Sequence, residues 1–164
     1  MSKAPKYWSK AKRTLSKRDK VMKTLINNYK DGNLVTRNDV FFFFCKRIIG
    51  QQIRVAAANS VLLKFKAKCK NKISAKTVSK LSFNNLKSCG LSRQKVKGIQ
   101  NLAKKTLDKS FKPSLIKKMT DEEAIIYLSE LRQIGRWSAE MILLFTFNRS
   151  NIWPLQDIGL LRAI

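Results

Sequence analysis

Thr120-Asp-Glu-Glu-Ala-Ile-Ile-Tyr-Leu-Ser-Glu-Leu-Arg-Gln-Ile-Gly-Arg-Trp-Ser-Ala-Glu-Met-Ile-Leu-Leu-Phe-Thr-Phe147 is the stretch that decides the fold. It opens as a capping box: the Thr120 hydroxyl is placed to accept from the third helical N–H, and Glu123 to accept from Thr120 in return. Acidic residues in this first turn also favour the positive end of the helix dipole. Ala124, Leu128 and Leu131 then fall on one face. From Ala139 to Phe147 the chain is apolar all round except for Glu140 and Thr146, the pattern of a buried helix. Only Arg132-Gln-Ile-Gly-Arg136 lies between the two, so they form a tight helical hairpin. The first turn of its second helix offers unpaired backbone N–H groups and a positive dipole end, an arrangement suited to phosphate.

Outward from the hairpin, helical spacing recurs and no segment sustains the alternation of a half-buried strand, so the class is all-α. Ser16-x-x-Asp19 predicts a helix start near Ser16, running through Val21, Met22, Leu25, Ile26 and Tyr29 to a stop at Asp31-Gly32-Asn33, with a turn continuing to Asn38. Residues 1–15 then read as a basic N-terminal segment and 16–164 as one helical domain. Val40 to Ile49, with four consecutive Phe, predicts a helix through the core. Past Gly50, Ile53, Ala57, Val61 and Phe65 step by four. Ser74, Ser82 and Ser92 are N-cap candidates, Gly90 a helix stop, and Val96, Ile99, Ala103 and Leu107 a buried stripe.

The 164 residues carry 35 Lys plus Arg against 10 Asp plus Glu, a net charge of +25, which points to a polyanionic partner such as nucleic acid. No run of about 18 apolar residues is present and the N-terminus lacks an apolar signal core, so a cytoplasmic protein with no membrane association is expected. Three scattered cysteines without a C-x-x-C pair leave no metal or iron–sulfur site in prospect, and no metal or other cofactor is expected. The absence of histidine removes Ser-His-Asp and Cys-His nucleophiles, leaving a carboxylate to carry much of any chemistry.

Read together, Leu131 to Met141, Trp153-Pro-Leu-Gln-Asp157-Ile-Gly-Leu, Ile49-Gly-Gln-Gln-Ile53 and Cys89-Gly-Leu-Ser-Arg-Gln-Lys95 stand in the order of the corresponding motifs of the DNA-3-methyladenine glycosylase II family, within the helix-hairpin-helix glycosylases. The chain resembles that family over about residues 16 to 164. The resemblance implies a two-lobed helical fold, a flipped-out nucleotide, and excision of alkylated, 3-methyladenine-like purines from double-stranded DNA during base-excision repair. For the oligomeric state a monomer is the default expectation. It also implies further helices beyond Ile164 that brace the Asp157 segment and add an aromatic to the pocket, so a C-terminally short chain with compromised activity is expected.

Carried over residue by residue, Asp157 matches the catalytic carboxylate that stabilises the developing sugar cation and orients water. Its position before an apolar run also reads as an N-cap. Trp137 stands where strand-cleaving members carry a Schiff-base lysine, which implies a monofunctional enzyme; its indole face suits a cationic purine, or else it is a core residue under the hairpin. Met141, one turn on, is expected to line the base pocket or simply to pack. Gln52 falls where the family fills the hole left by the flipped base, while Gln51 and Gln52 equally read as a helix connector. Gln133, Gly135, Arg136 and Ser138 belong to the phosphate-gripping hairpin. Two departures stand out: Gln133 replaces the first hairpin glycine, so the turn is expected to rest on Gly135, and Arg54 replaces a small hydroxyl residue and offers a phosphate contact. The competing readings are a non-catalytic DNA-binding relative and an architectural or RNA-binding basic protein.

Overall fold

The computed structural model describes residues 4–37 and 39–163. Helices are the only regular elements among them. Two lead the chain, α1 (Trp8–Arg18) and α2 (Lys20–Asn28). Then come α3 (Val40–Gly50), α4 (Val55–Lys68), α5 (Ala75–Ser79), α6 (Phe83–Lys87) and α7 (Arg93–Leu107). A 3-10 turn (Pro113–Lys118) leads into α8 (Asp121–Ser129), α9 (Arg136–Phe145) and the short α10 (Ile158–Leu161). No helix among the described residues is long and apolar enough to cross a membrane.

The expected caps form where the hydroxyls stand. Thr120 accepts from Glu123 N–H while Glu123 accepts from Thr120 N–H at 2.7 Å, and Ser74 and Ser82 build the same reciprocal pair with Thr77 and Asn85. Ser92 caps α7 through Lys95 N–H, and Gly90, at φ +95°, makes the left-handed turn between α6 and α7. Arg149 fastens the start of α8 by binding the Asp121 carboxylate and donating to the carbonyls of Ile116 and Met119.

One core runs from Phe44 to Ile152. The fully enclosed Phe44, Phe65, Ile99, Leu128 and Leu143 bring α3, α4, α7, α8 and α9 together. The α8–α9 hairpin packs on this core through Ala124, Leu128, Leu131, Ile134 and the inner face of α9. Helices α1, α2 and α10 bury no residue fully, and α1 and α2 pack on each other. The first two run antiparallel, Trp8 donating to Asn33 and Lys12 to the Lys30 carbonyl. They tie to the core through Tyr7, which donates to the Asn148 carbonyl, and Val35, which accepts from Asn148.

Four expectations need correction. The first helix starts at Trp8, not Ser16. Asp19 alone breaks the run: it is extended at φ −140° and caps a second helix by accepting from Met22 N–H. In α4 only Phe65 of the stepped stripe is buried; Ile53 and Ala57 face outward, and Val61 is half-buried beside Leu62. In α7, Leu102 takes the buried place expected for Leu107, which is 48% exposed near the helix end. The second hairpin helix starts at Arg136, three residues early, and Phe145 near its end is 45% exposed. Asn38, the expected end of the first long turn, lies outside the described residues.

Candidate functional site

The hairpin turn is set by Gln133, not by Gly135. Gln133 adopts φ +69°, a left-handed conformation that costs a side-chain-bearing residue about 1–2 kcal/mol. Its side chain lies against Gly98 of α7, where a Cβ would stand 2.7 Å from Gln133 Cγ. Gly135 is extended at φ −90°, serves as N-cap of α9, and has nothing within 4 Å of where a Cβ would be. The open space over Gly135 leaves the first N–H groups of α9 approachable by a phosphate.

Gln51 joins this turn to the end of α3. Its side-chain amide donates to the Gln133 carbonyl at 2.6 Å and to the Ser138 hydroxyl at 3.1 Å. From α7, the Lys95 ammonium donates to the Ile49 and Gln51 carbonyls at 2.8 and 2.7 Å, closing the C-terminus of α3 with a cation where the dipole favours one. Burial pushes the Lys95 ammonium pKa down. Between these braced points Gln52 stands exposed at φ +54°, and Arg54 stands exposed as the N-cap of α4. Gln51, Gln52, Lys95, Gly135 and Trp137 share the walls of an open cleft of about 570 Å³.

The second half of the site grows from Trp137, in the first turn of α9. Its indole N–H donates to Asp157 Oδ2 at 2.9 Å, while Asp157 Oδ1 accepts from Leu160 N–H at 3.0 Å. Asp157 is thus the N-cap of α10, as the apolar run after it led one to expect, and also the partner of Trp137. The donated N–H of Leu160 and then of Trp137, with help from Gly159 N–H and the Arg47 charge, hold the Asp157 carboxyl pKa below its ordinary value. It is a carboxylate through the neutral range. Over the Trp137 ring lies Arg47 of α3, its guanidinium carbon 5.7 Å from the ring centroid.

The expected residues therefore fall into two neighbouring groups. Trp137 and Asp157 touch, and Gln52, Arg54 and Gly135 front open space. Ser138 is 5% exposed and bonded to Gln51, so it braces the hairpin from inside. Arg136 binds Glu122 through two bonds of 2.7 and 2.8 Å and Glu140 at 3.2 Å, so its guanidinium is already paired. Met141 is 5% exposed and does not line this cleft. The sequence reading assigned no role to Arg47 or Lys95, and treated Gln51 only as a possible connector. A hydrophobic-periodicity reading treats such polar residues as surface, although Lys95 stands inside a quoted motif.

Residues 45–164 match the family described as HhH-GPD superfamily base excision DNA repair protein, well over half of the chain. The chain belongs to this superfamily. Among its relatives, DNA-3-methyladenine glycosylase 1 of Schizosaccharomyces pombe is 25% identical over 139 residues, covering 83% of this chain and 61% of the relative. The alkylbase DNA glycosidase-like protein mag2 of the same organism is 32% identical over 116 residues, covering 68% and 54%. The S. pombe 3-methyladenine DNA glycosylase in complex with abasic DNA superposes with a TM-score of 0.76 at 25% identity, covering 92% of this chain and 76% of that one. The all-helical helix-hairpin-helix glycosylase fold expected from the sequence is therefore the fold observed. The chain spans 61% and 54% of the length of the two curated S. pombe relatives.

Proposed function

We propose that this protein is a monofunctional DNA glycosylase that hydrolyses the N-glycosidic bond of alkylated, 3-methyladenine-like purines in double-stranded DNA. The observation that carries this reading is the Trp137–Asp157 bond at the head of α10, beside the open end of the hairpin. Two donated N–H bonds fix the carboxylate in position and charge, as a group that stabilises developing positive charge must be fixed before reaction.

The protein's parts divide the work. The α9 N-terminus, open over Gly135, and the exposed Arg54 hold the DNA backbone, and Gln52, raised on a loop anchored by Gln51 and Lys95, enters the duplex where a nucleotide has left it. The flipped nucleotide brings its sugar to Asp157. As the glycosidic bond breaks, the bonding pair leaves with the base and the sugar ring becomes cationic. Asp157 stabilises that cation and orients the water that adds to the anomeric carbon; the water's proton passes to solvent. N-alkylation weakens the bond, so little acid catalysis at the base is required. Trp137 supplies no amine for a covalent adduct.

Duplex treated with a methylating agent should therefore yield free methylpurine and abasic sites, with the strand intact until alkali is added. Borohydride trapping of a protein–DNA adduct would refute the monofunctional reading. Tight binding to an abasic duplex with no base release would identify a non-catalytic relative instead.

A further inference from the structure

The chain has ten carboxylates, and none of them lies between Val40 and Leu107, a stretch that carries sixteen Lys and Arg. Within that stretch the positive charge gathers at the far end of α4. Lys64, Lys66, Lys68, Lys70 and Lys72 are all exposed, and among the described residues no carboxylate pairs with any of them. Lys64 and Lys68 stand one turn apart on the helix, where like charges repel. The cluster lies over the junction of α4 with α6: burial raises the pKa of the Cys89 thiol there, and the Lys68 and Lys64 charges draw it partly back down. The turn that follows α4 is fixed. The N–H groups of Lys70, Asn71 and Lys72 donate to the carbonyls of Ala67, Lys66 and Cys69 at 2.9, 2.9 and 3.0 Å, with Lys70 and Asn71 left-handed at φ +50° and +60°. The cluster also stands apart from the hairpin site. Val55 to Leu63 carries no charge, and the rise of an α-helix puts Lys68 roughly 20 Å from Arg54. None of the five lysines lines the cleft beside Trp137.

We propose that the lysine cluster at the end of α4 is a second DNA-binding surface, which takes a segment of double-stranded DNA other than the one held at the hairpin. A duplex carries one phosphate charge per about 1.7 Å of its axis, and lysines neutralise phosphates and release their counterions without reading sequence. Crowded like charges with no carboxylate to offset them are relieved by such a partner. The surroundings favour duplex over other polyanions. Phe65, the one aromatic residue between Phe44 and Phe83, is fully enclosed, so unpaired bases find no ring to stack on. Leu63 is the one large apolar side chain exposed beside the cluster, whereas a membrane-binding face buries a row of them. The uncharged stretch from Val55 to Leu63 separates the cluster from Arg54, which favours two distinct contacts over one continuous track. With two surfaces the protein can take hold of a second segment before it releases the first, so its search passes directly between segments. The proposal goes beyond the glycosylase reading and does not depend on base release.

The test compares the unmutated protein with a variant carrying Lys64→Gln, Lys66→Gln, Lys68→Gln and Lys72→Gln together, and with one in which the same four lysines become Arg. Each protein is bound to an immobilised short duplex holding an abasic-site analogue, and capture of a second, fluorescent, undamaged duplex is measured over a series of salt concentrations. The same capture is measured with each protein tethered by its N-terminus and no abasic duplex present. The unmutated protein should capture the second duplex, and capture should fall as salt rises. The four Gln substitutions should weaken that capture at least about tenfold and reduce its log–log salt slope by about 3.6, the share of four phosphate contacts. At physiological salt, where exposed charges roughly 20 Å apart are screened, affinity for the abasic duplex should change by less than about twofold. The Arg variant should capture as the unmutated protein does. Unchanged capture in the Gln variant, or equal losses of both affinities, overturns the second surface. Stronger capture of single-stranded RNA or of phosphatidylserine vesicles than of duplex, through the same lysines, overturns duplex DNA as the partner. If the unmutated protein fails to hold the abasic duplex while the tethered protein captures undamaged duplex through these lysines, the glycosylase reading falls and the surface stands.

Discussion

Gly98→Ala is the substitution whose outcome depends most sharply on the geometry of the hairpin turn. In an unobstructed helix this change gains about 0.8–1 kcal/mol from backbone entropy. At Gly98 the new methyl would stand 2.7 and 3.0 Å from Gln133 Cγ and Cβ and 3.2 Å from the Arg132 carbonyl, against groups near a turn that cannot swing aside as a long side chain would. Overpacking of this kind costs about 1–3 kcal/mol, so a net loss of about 1 kcal/mol is expected, with Tm lower by roughly 2–4 °C for a chain of this size. Gln133→Gly should relieve it. That change removes both crowded atoms and also places glycine at φ +69°, which glycine adopts freely. In the Gln133→Gly background, Gly98→Ala should therefore become stabilising by about 1 kcal/mol, and the double-mutant cycle should show a coupling of about 2 kcal/mol. Urea unfolding of the four proteins measures this. A Gly98→Ala single variant more stable than the parent, or a cycle with no coupling, would refute the account of the turn.

Gln52→Ala should weaken binding to duplex containing an abasic site and leave binding to undamaged duplex nearly unchanged; equal losses on both would make Gln52 a connector only. In salt titrations of DNA affinity, Arg54→Ala should reduce the log–log slope by about 0.9, the share of one phosphate contact, whereas Arg136→Ala, already paired with Glu122 and Glu140, should leave the slope unaltered. The reaction requires the ionised Asp157 and is lost as pH falls through its pKa in the folded protein. Because that pKa is lowered, release should stay level through mildly acidic pH, and Trp137→Phe, which removes one donated bond, should move the acid limb upward. An acid limb unmoved by Trp137→Phe would separate Trp137 from the ionisation of Asp157.

The hairpin was legible because its signals are local. Thr120 and Glu123 cap each other within one turn, and the apolar run after Ser138 is buried as far as Leu143. The cap role of Asp157 was legible from the apolar residues after it. What escaped the sequence is made of long-range contacts between elements. That Gln133 would turn left-handed while Gly135 stays extended depends on Gly98, 35 positions away, clearing space for its side chain. Arg136 and Ser138 stand in the right motif for phosphate, but Glu122 lies across the hairpin from Arg136 and Gln51 reaches in from α3 to Ser138, and neither partner is visible in one dimension. Arg47 sits in a run that reads as apolar core with scattered surface cations. Only the crossing of α3 and α9 places it on the Trp137 ring. The misplaced first helix has a local cause: Ser16 and Asp19 both suit a cap, and the extended backbone at Asp19 decided between them.

The central claim is that Asp157 acts by its charge on a sugar cation. Asp157→Asn removes that charge and keeps the cap, since Asn caps a helix about as well as Asp and its oxygen can accept from Leu160 N–H. Its amide nitrogen cannot accept from the Trp137 indole, so Trp137→Phe, which loses that same bond with the charge intact, serves as the control. The direct measurement is single-turnover release of methylpurine from methylated duplex by the two proteins, with affinity for an abasic duplex recorded alongside. The account predicts release slowed by at least about 10²–10³-fold in Asp157→Asn with affinity retained. Equal release by both proteins, or none by the unmutated one, would contradict it.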